Sequence, residues 1–314
     1  MAILVISLVA SLFTASLISM GDDKATLKRN SVLKISFDKI IPQKTNNTEA
    51  TFFNLSNDPL LGQYDIIEAI KAAKEDRDIK GIYMQLSMRG MGNAKANDIR
   101  DALLDFKESG KFVYAYCNNY GYGQGAYYMA SAADKLFIHP LGSIDLRGFG
   151  AEIPFFKDML DKLGIRMATF YAGKFKGATE PYRLNQMSDE NRTQIKEYLG
   201  ELYTAFIDDL AVSRNMTSEA IHAAASNLSG RNAELALENG LVDEILYEDE
   251  VLNMIREALD LDEEDKISML DLVDYHQARD KDRNIGAPAK IPILYAEGEI
   301  RAGEETYGTI TDQH

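Results

Sequence analysis

Apolar positions along the chain recur in two alternating periods. Ser31–Phe37 alternates apolar and polar residues, which predicts a strand. Over Leu61–Asp76, Ile66, Ile67, Ile70 and Ala73 fall on one side at helical spacing. Ile79–Leu86 predicts the next strand, and Ala96–Glu108 a helix with Ile99, Leu103 and Phe106 inward and Gly110 as its cap. Lys111–Cys117 predicts a strand, Ala126–Ala133 a helix and Lys135–His139 a short strand. A strand near Ile144–Leu146, a helix over Pro154–Gly164 and a strand over Ile165–Ala172 follow. A long helix over Ser188–Ser213 carries the stripe Ile195, Leu199, Leu202, Phe206 and Leu210, with Ser188 as a weak cap. Thr217 caps a further helix, Ser229–Asn239 is a short one closed by Gly240, and Leu241–Leu246 returns as a strand. Repeated strand–helix–strand order predicts a parallel α/β layer with right-handed crossovers. In such a layer ligands sit beyond the carboxyl ends of strands, so the turns at Gly90, Gly121 and Lys176 are candidates for one functional face.

Composition narrows the function classes. With 314 residues, 46% of them hydrophobic, the chain can bury a real core in one or two domains. A formal net charge of -15 disfavours nucleic acid as a partner, because phosphates call for basic surface. Cys117 is the only cysteine, which excludes an internal disulfide; its place in an apolar strand argues for burial rather than nucleophilic chemistry. Residues 1–21 carry no charge and just reach the roughly 20 residues that a helix needs to cross a bilayer. They lack the positive start of a cleaved signal peptide, so an N-terminal membrane anchor is the expectation. Lys24, Lys28 and Arg29 leave its orientation open. Asp243 to Asp265 holds eleven acidic residues against the single basic Arg256, read as the solvated face of a helix marked by Val251, Ile255 and Leu259.

Few residues suggest chemistry. The four histidines, His139, His222, His276 and His314, show no metal-ligand spacing, and no Gly-x-Ser-x-Gly elbow is present. The glycine loop at 121–125 matches no nucleotide-binding pattern, so no cofactor is expected. Backbone amides at Arg89–Gly92 are candidate oxyanion donors or plain turn geometry. Gly173-Lys174-Phe175-Lys176-Gly177-Ala178-Thr179-Glu180-Pro181-Tyr182 follows the predicted strand over Ile165–Ala172. A lysine fixed in such a connection can lose water contact and lower its pKa, as a general base requires; the alternative is a surface lysine. Glu180 either pairs with a nearby lysine or caps an element.

The same segment, with Gln124-Gly125-Ala126-Tyr127-Tyr128, the stretch through Ala132 and Pro140, and Ile291–Thr306, resembles the SppA signal peptide peptidases in their long, two-repeat bacterial form. The resemblance implies a ClpP/crotonase-like α/β repeat, a parallel sheet with flanking helices, preceded by one transmembrane helix. It implies residues 1–21 as anchor, 22–286 as the first repeat with a helical C-terminal part, and 287–314 as the start of a second. It also implies a serine–lysine dyad in which Lys176 is the base, and the serine belongs to the second repeat, beyond His314. Gln124 then stands at the degenerate nucleophile position, and Arg89–Gly92 is scaffold. Small residues at Gly177 and Ala178 would leave room for an extended substrate strand. Implied partners are hydrophobic peptides, the residual signal peptides, with a homotetramer on the outer side of the bacterial inner membrane. Two other readings stay open: an inactive membrane-tethered scaffold, and a crotonase-type acyl-CoA enzyme.

Overall fold

The computed structural model describes residues 27–37, 41–45, 61–86, 92–118, 120–280, 299–300 and 309–310. In chain order the first elements are β1 (Ser31–Ser36), α1 (Gln63–Glu75), β2 (Ile79–Leu86), α2 (Asn93–Lys107) and β3 (Phe112–Cys117). Then come α3 (Gln124–Ala130), β4 (Lys135–Ile138), α4 (Lys157–Lys162), a 3-10 turn (Gly177–Thr179), α5 (Glu180–Arg183) and α6 (Asp189–Arg214). The series continues with α7 (Ser218–Ser226), α8 (Ala233–Glu238), β5 (Glu244–Ile245), α9 (Glu248–Ala258), β6 (Ser268–Asp271) and α10 (Leu272–Asp280). Six strands form one parallel sheet in the order β5-β4-β3-β2-β1-β6. The predicted α/β layer is therefore present.

The chain divides into two compact units. The first comprises the chain to Gln85, Asn93–Tyr114 and the chain from Leu252. Here β1 lies between β2 and β6, pairing Leu33 with Ile82 and with Leu270. Val32, Leu33 and Ile35 of β1 and Ile82, Tyr83 and Met84 of β2 are all buried. Side chains buried on both faces mark strands covered on both sides, which is why these runs are nearly continuous in apolar character. Ile66, Ile70 and Ala73 of α1 meet the α2 face made by Ile99, Leu103 and Phe106 in the buried core. The Lys111 ammonium donates to the carbonyls of Ala73, Lys74 and Asp76 at 2.7, 2.9 and 2.7 Å, closing the C-terminus of α1. Strand β6 has no clear alternation, and its pairing with β1 was not legible in the sequence.

The second unit holds Leu86–Gly92 and Ala115–Val251. Helix α3 buries Ala126 through Ala130 without an exposed face. Two buried tyrosines here are satisfied by main-chain acceptors: Tyr127 Oη of the helix donates to the Leu241 carbonyl at 2.9 Å, and Tyr122 Oη, just before the helix, to that of Phe137 at 3.1 Å. Arg214 closes α6 onto Asp243 with two donors at 3.2 and 2.8 Å, while Asp243 also accepts from the Leu136 amide at 2.7 Å. The expected strand near Ile144 is a single parallel bridge to Tyr122. It is held on its other side where the Ile144 amide donates to the Gly230 carbonyl at 2.6 Å. At Gly121, with φ +87°, a Cβ would lie 2.4 Å from the Ser143 carbonyl oxygen, so only glycine fits that turn.

The anchor expected over residues 1–21 lies outside the described residues, as does most of 287–314. Among the described residues no helix is long and apolar enough to cross a membrane. Glu299–Ile300 and Thr309–Ile310 form a short parallel pair of their own.

Candidate active site

Among the described residues Ile165–Ala172 forms no strand, which corrects the expectation from its apolar run. Gly164, at φ +70°, and the Ile165 amide bonded to the Leu160 carbonyl end helix α4. Beyond that point no neighbouring backbone accepts the segment among the described residues. An apolar pattern makes a strand only where a ladder partner is present. Its side chains are instead open to water, Phe170 at 93% exposure, with Met167, Tyr171 and Phe175 also exposed.

The segment turns at Gly173, φ +91°, into the loop that carries Lys176. Lys176 is exposed, and among the described residues no hydrogen bond or ion pair engages its ammonium. The expected loss of water contact is not seen here, because among the described residues no apolar element covers the turn. The turn itself is firmly held. Gly177 begins the 3-10 turn, and a Cβ there would lie 2.5 Å from the Asn191 carboxamide. Gly177 thus packs tightly against the Asn191 side chain. Ala178 is exposed beside it.

Glu180, 1% exposed, anchors the loop. Its Oε1 accepts from Ser188 Oγ at 2.5 Å, and its Oε2 accepts from the Ser188 amide at 3.2 Å and Asn191 Nδ2 at 3.0 Å. Arg183 approaches Oε1 at 3.5 Å. Burial pushes the Glu180 carboxyl up, but the bonds from Ser188 and Asn191 and the Arg183 charge outweigh it and hold the group below the ordinary carboxylate range. Ser188 is at once the N-cap of α6, accepting from the Asn191 amide at 3.2 Å. Glu180 therefore supports the cap residue Ser188 rather than pairing with a lysine; the nearby Lys174 pairs with Glu190 instead, at 3.6 Å. The Arg183 guanidinium stacks 3.9 Å from the Tyr171 ring, tying the exposed segment to the same knot.

Gln124 is the first residue of α3, after the turn that follows β3. Its Nε2 donates to the Arg147 carbonyl at 2.9 Å. A carboxamide in that place cannot form an acyl-enzyme. Among the described residues no hydrogen bond or ion pair joins Gln124 to Lys176. Of the Arg89–Gly92 turn only Gly92 is described, and it is exposed; Gly90 lies outside the described residues. Since Lys176 follows no strand, it does not share the strand-end position of Gly121. A cavity of about 550 Å³ opens between Phe149, Met187, Ile195, Leu199 and Tyr203, and Lys176 does not line it. Ser188 and Asn191 are the residues that sequence reasoning undervalued. Their only signal is a cap spaced three residues from an amide, and the carboxylate they serve lies outside any period.

The profile of peptidase family S49 matches residues 105–262. Protease 4 of Haemophilus influenzae is 31% identical over 253 residues, covering 78% of this chain and 41% of that protein. The chloroplastic serine protease SPPA of Arabidopsis thaliana is 28% identical over 232 residues, 74% of this chain and 34% of that protein. A putative signal peptide peptidase SppA of Enterococcus faecium is 27% identical over 208 residues, 65% of this chain and 58% of that protein. The chain spans about two fifths of the length of its Protease 4 relatives.

Proposed function

The chain belongs to peptidase family S49, and on that premise we propose that it is the base-bearing repeat of a serine endopeptidase acting on hydrophobic peptides, residual signal peptides among them. The single observation that carries this reading is an exposed, unpartnered Lys176 ammonium on a turn whose backbone is locked. A cation on a fixed turn, with no partner among the described residues, is free to meet a partner from elsewhere. In this reading the partner is a serine on a second repeat, consistent with Gln124 in the degenerate position and with the greater length of the relatives. Docking of that repeat would strip water from Lys176 and favour its neutral form. The neutral amine then takes the serine proton as the oxygen attacks the peptide carbonyl. The leaving amine receives a proton from the resulting ammonium, and water releases the acyl group.

The exposed apolar segment Ile165–Ala172 supports an apolar partner beside the base, since its open backbone can pair with an extended peptide. The sheet and its flanking helices fit a ClpP/crotonase-like repeat. Anchoring through residues 1–21 would place the body on the outer side of the bacterial inner membrane, as a homotetramer, with residues 287–314 opening the second repeat. The rival of an inactive tethered scaffold draws on the same missing hydroxyl at Gln124.

The test is cleavage of a hydrophobic leader peptide by the two-repeat protein. Lys176→Ala is expected to lower turnover by about 10²–10⁴-fold, the usual contribution of a general base. The 314-residue chain alone is expected not to cleave. Turnover unaffected by Lys176→Ala would reject the assignment, and cleavage by the single repeat would place a nucleophile within it.

A further inference from the structure

We propose that Glu180 is the positioning residue of the proposed base: through Ser188 and Asn191 it fixes the Lys176 turn to the start of α6, and its carboxylate is engaged by those residues and by Arg183 rather than by the lysine. The inference rests on the reading of Lys176 as general base and deepens it.

Two consequences follow from the acceptor geometry. An ionised carboxylate offers about four lone-pair sites. Those of Glu180 take three hydrogen bonds, from the Ser188 hydroxyl and amide and from Asn191 Nδ2, and Oε1 also lies 3.5 Å from the Arg183 guanidinium as an ion pair. Lys176 lies four residues before Glu180, close enough in sequence that a carboxylate with spare acceptors would compete for its ammonium. An ion pair of that kind would keep the lysine protonated and unfit to accept a proton. Three hydrogen bonds and the Arg183 charge occupy the buried carboxylate, and among the described residues the Lys176 ammonium has no hydrogen-bond or ion-pair partner. The second consequence is positional. Asn191 is 8% exposed, and its carboxamide is held by Glu180 on one side and backs directly onto Gly177 on the other. The buried carboxylate thereby sets the backbone position of the residue that follows the base. A general base displaced by about 1 Å loses much of its effect.

The experiment measures leader-peptide cleavage and thermal unfolding in the two-repeat protein carrying Glu180→Gln, Ser188→Ala, Ser188→Thr or Lys176→Ala. A glutamine at 180 directs an N–H₂ toward donors that need an acceptor. Ser188→Ala removes the hydroxyl that joins Glu180 to the helix cap, and Ser188→Thr keeps it. The expected result is a fall in kcat of at least about tenfold in Glu180→Gln and Ser188→Ala, per folded molecule and with KM unchanged. Ser188→Thr is expected to restore most of the loss. Wild-type kcat in Glu180→Gln and Ser188→Ala, beside an inactive Lys176→Ala, overturns the positioning role alone. Losses that merely follow the folded fraction, with threonine no better than alanine, also overturn it. Full activity in Lys176→Ala removes the underlying base assignment instead.

Discussion

Asn191 stands so close to the backbone of Gly177 that a Cβ at Gly177 would lie 2.5 Å from its carboxamide. One residue adjoins the proposed base, and the other belongs to the first turn of a 26-residue helix. Their contact transmits the position of α6 to the lysine turn. Gly177→Ala is expected to force Asn191 off Glu180, costing about 1–3 kcal/mol for the buried acceptor left short of a donor. Chemical denaturation checks this, and the cost should be less than additive with Asn191→Ala.

The Glu180 carboxyl gives acid sensitivity of known sign. Its folded pKa is held below the ordinary value, so between the two values the unfolded chain binds more protons. The stabilisation is present above the unfolded value and is lost as pH falls through the folded one. Unfolding measured from pH 7 downward should show wild type converging on Glu180→Gln at the acid end.

Arg214 is mostly buried and meets Asp243 with two donors, while Asp243 also holds the Leu136 amide at the start of β4. Arg214→Met is expected to cost about 2–4 kcal/mol, toward the low end for breaking a buried pair because Asp243 keeps some water contact. Thermal unfolding checks it, and Asp243→Asn should be milder because the amide oxygen still accepts from Leu136.

Cys117 is fully buried, and desolvation pushes its thiol well up from the ordinary range. The folded protein is expected to resist iodoacetamide at pH 8, with alkylation in denaturant, as read by mass spectrometry. Rapid modification of the native protein would show that the end of β3 opens.

Phe170 contributes little to the stability of this chain, since 93% of its surface is in water. Phe170→Ser is expected to change unfolding free energy by under about 0.5 kcal/mol. It should nonetheless weaken binding of an apolar leader peptide to the two-repeat protein, measured by fluorescence anisotropy at equilibrium.

The amino-acid sequence alone determined the α/β class, the inward faces of α1 and α2, and the strands β1 to β4, because periodicity records which side of an element avoids water. It also marked the segment around Lys176 through its glycines and proline. Tertiary structure decided the rest. Ile165–Ala172 has the composition of a strand but no ladder partner among the described residues, and Ser268–Asp271 has little pattern but lies beside β1. Glu180 bonds Ser188, the cap of α6, and Asn191 rather than a lysine. Periodicity is a property of neighbours along the chain, whereas hydrogen-bond partners and the exclusion of water depend on segments far apart in sequence. That is why Lys176 could be singled out from its motif, while its exposure and the lock beneath it could be seen only in the fold.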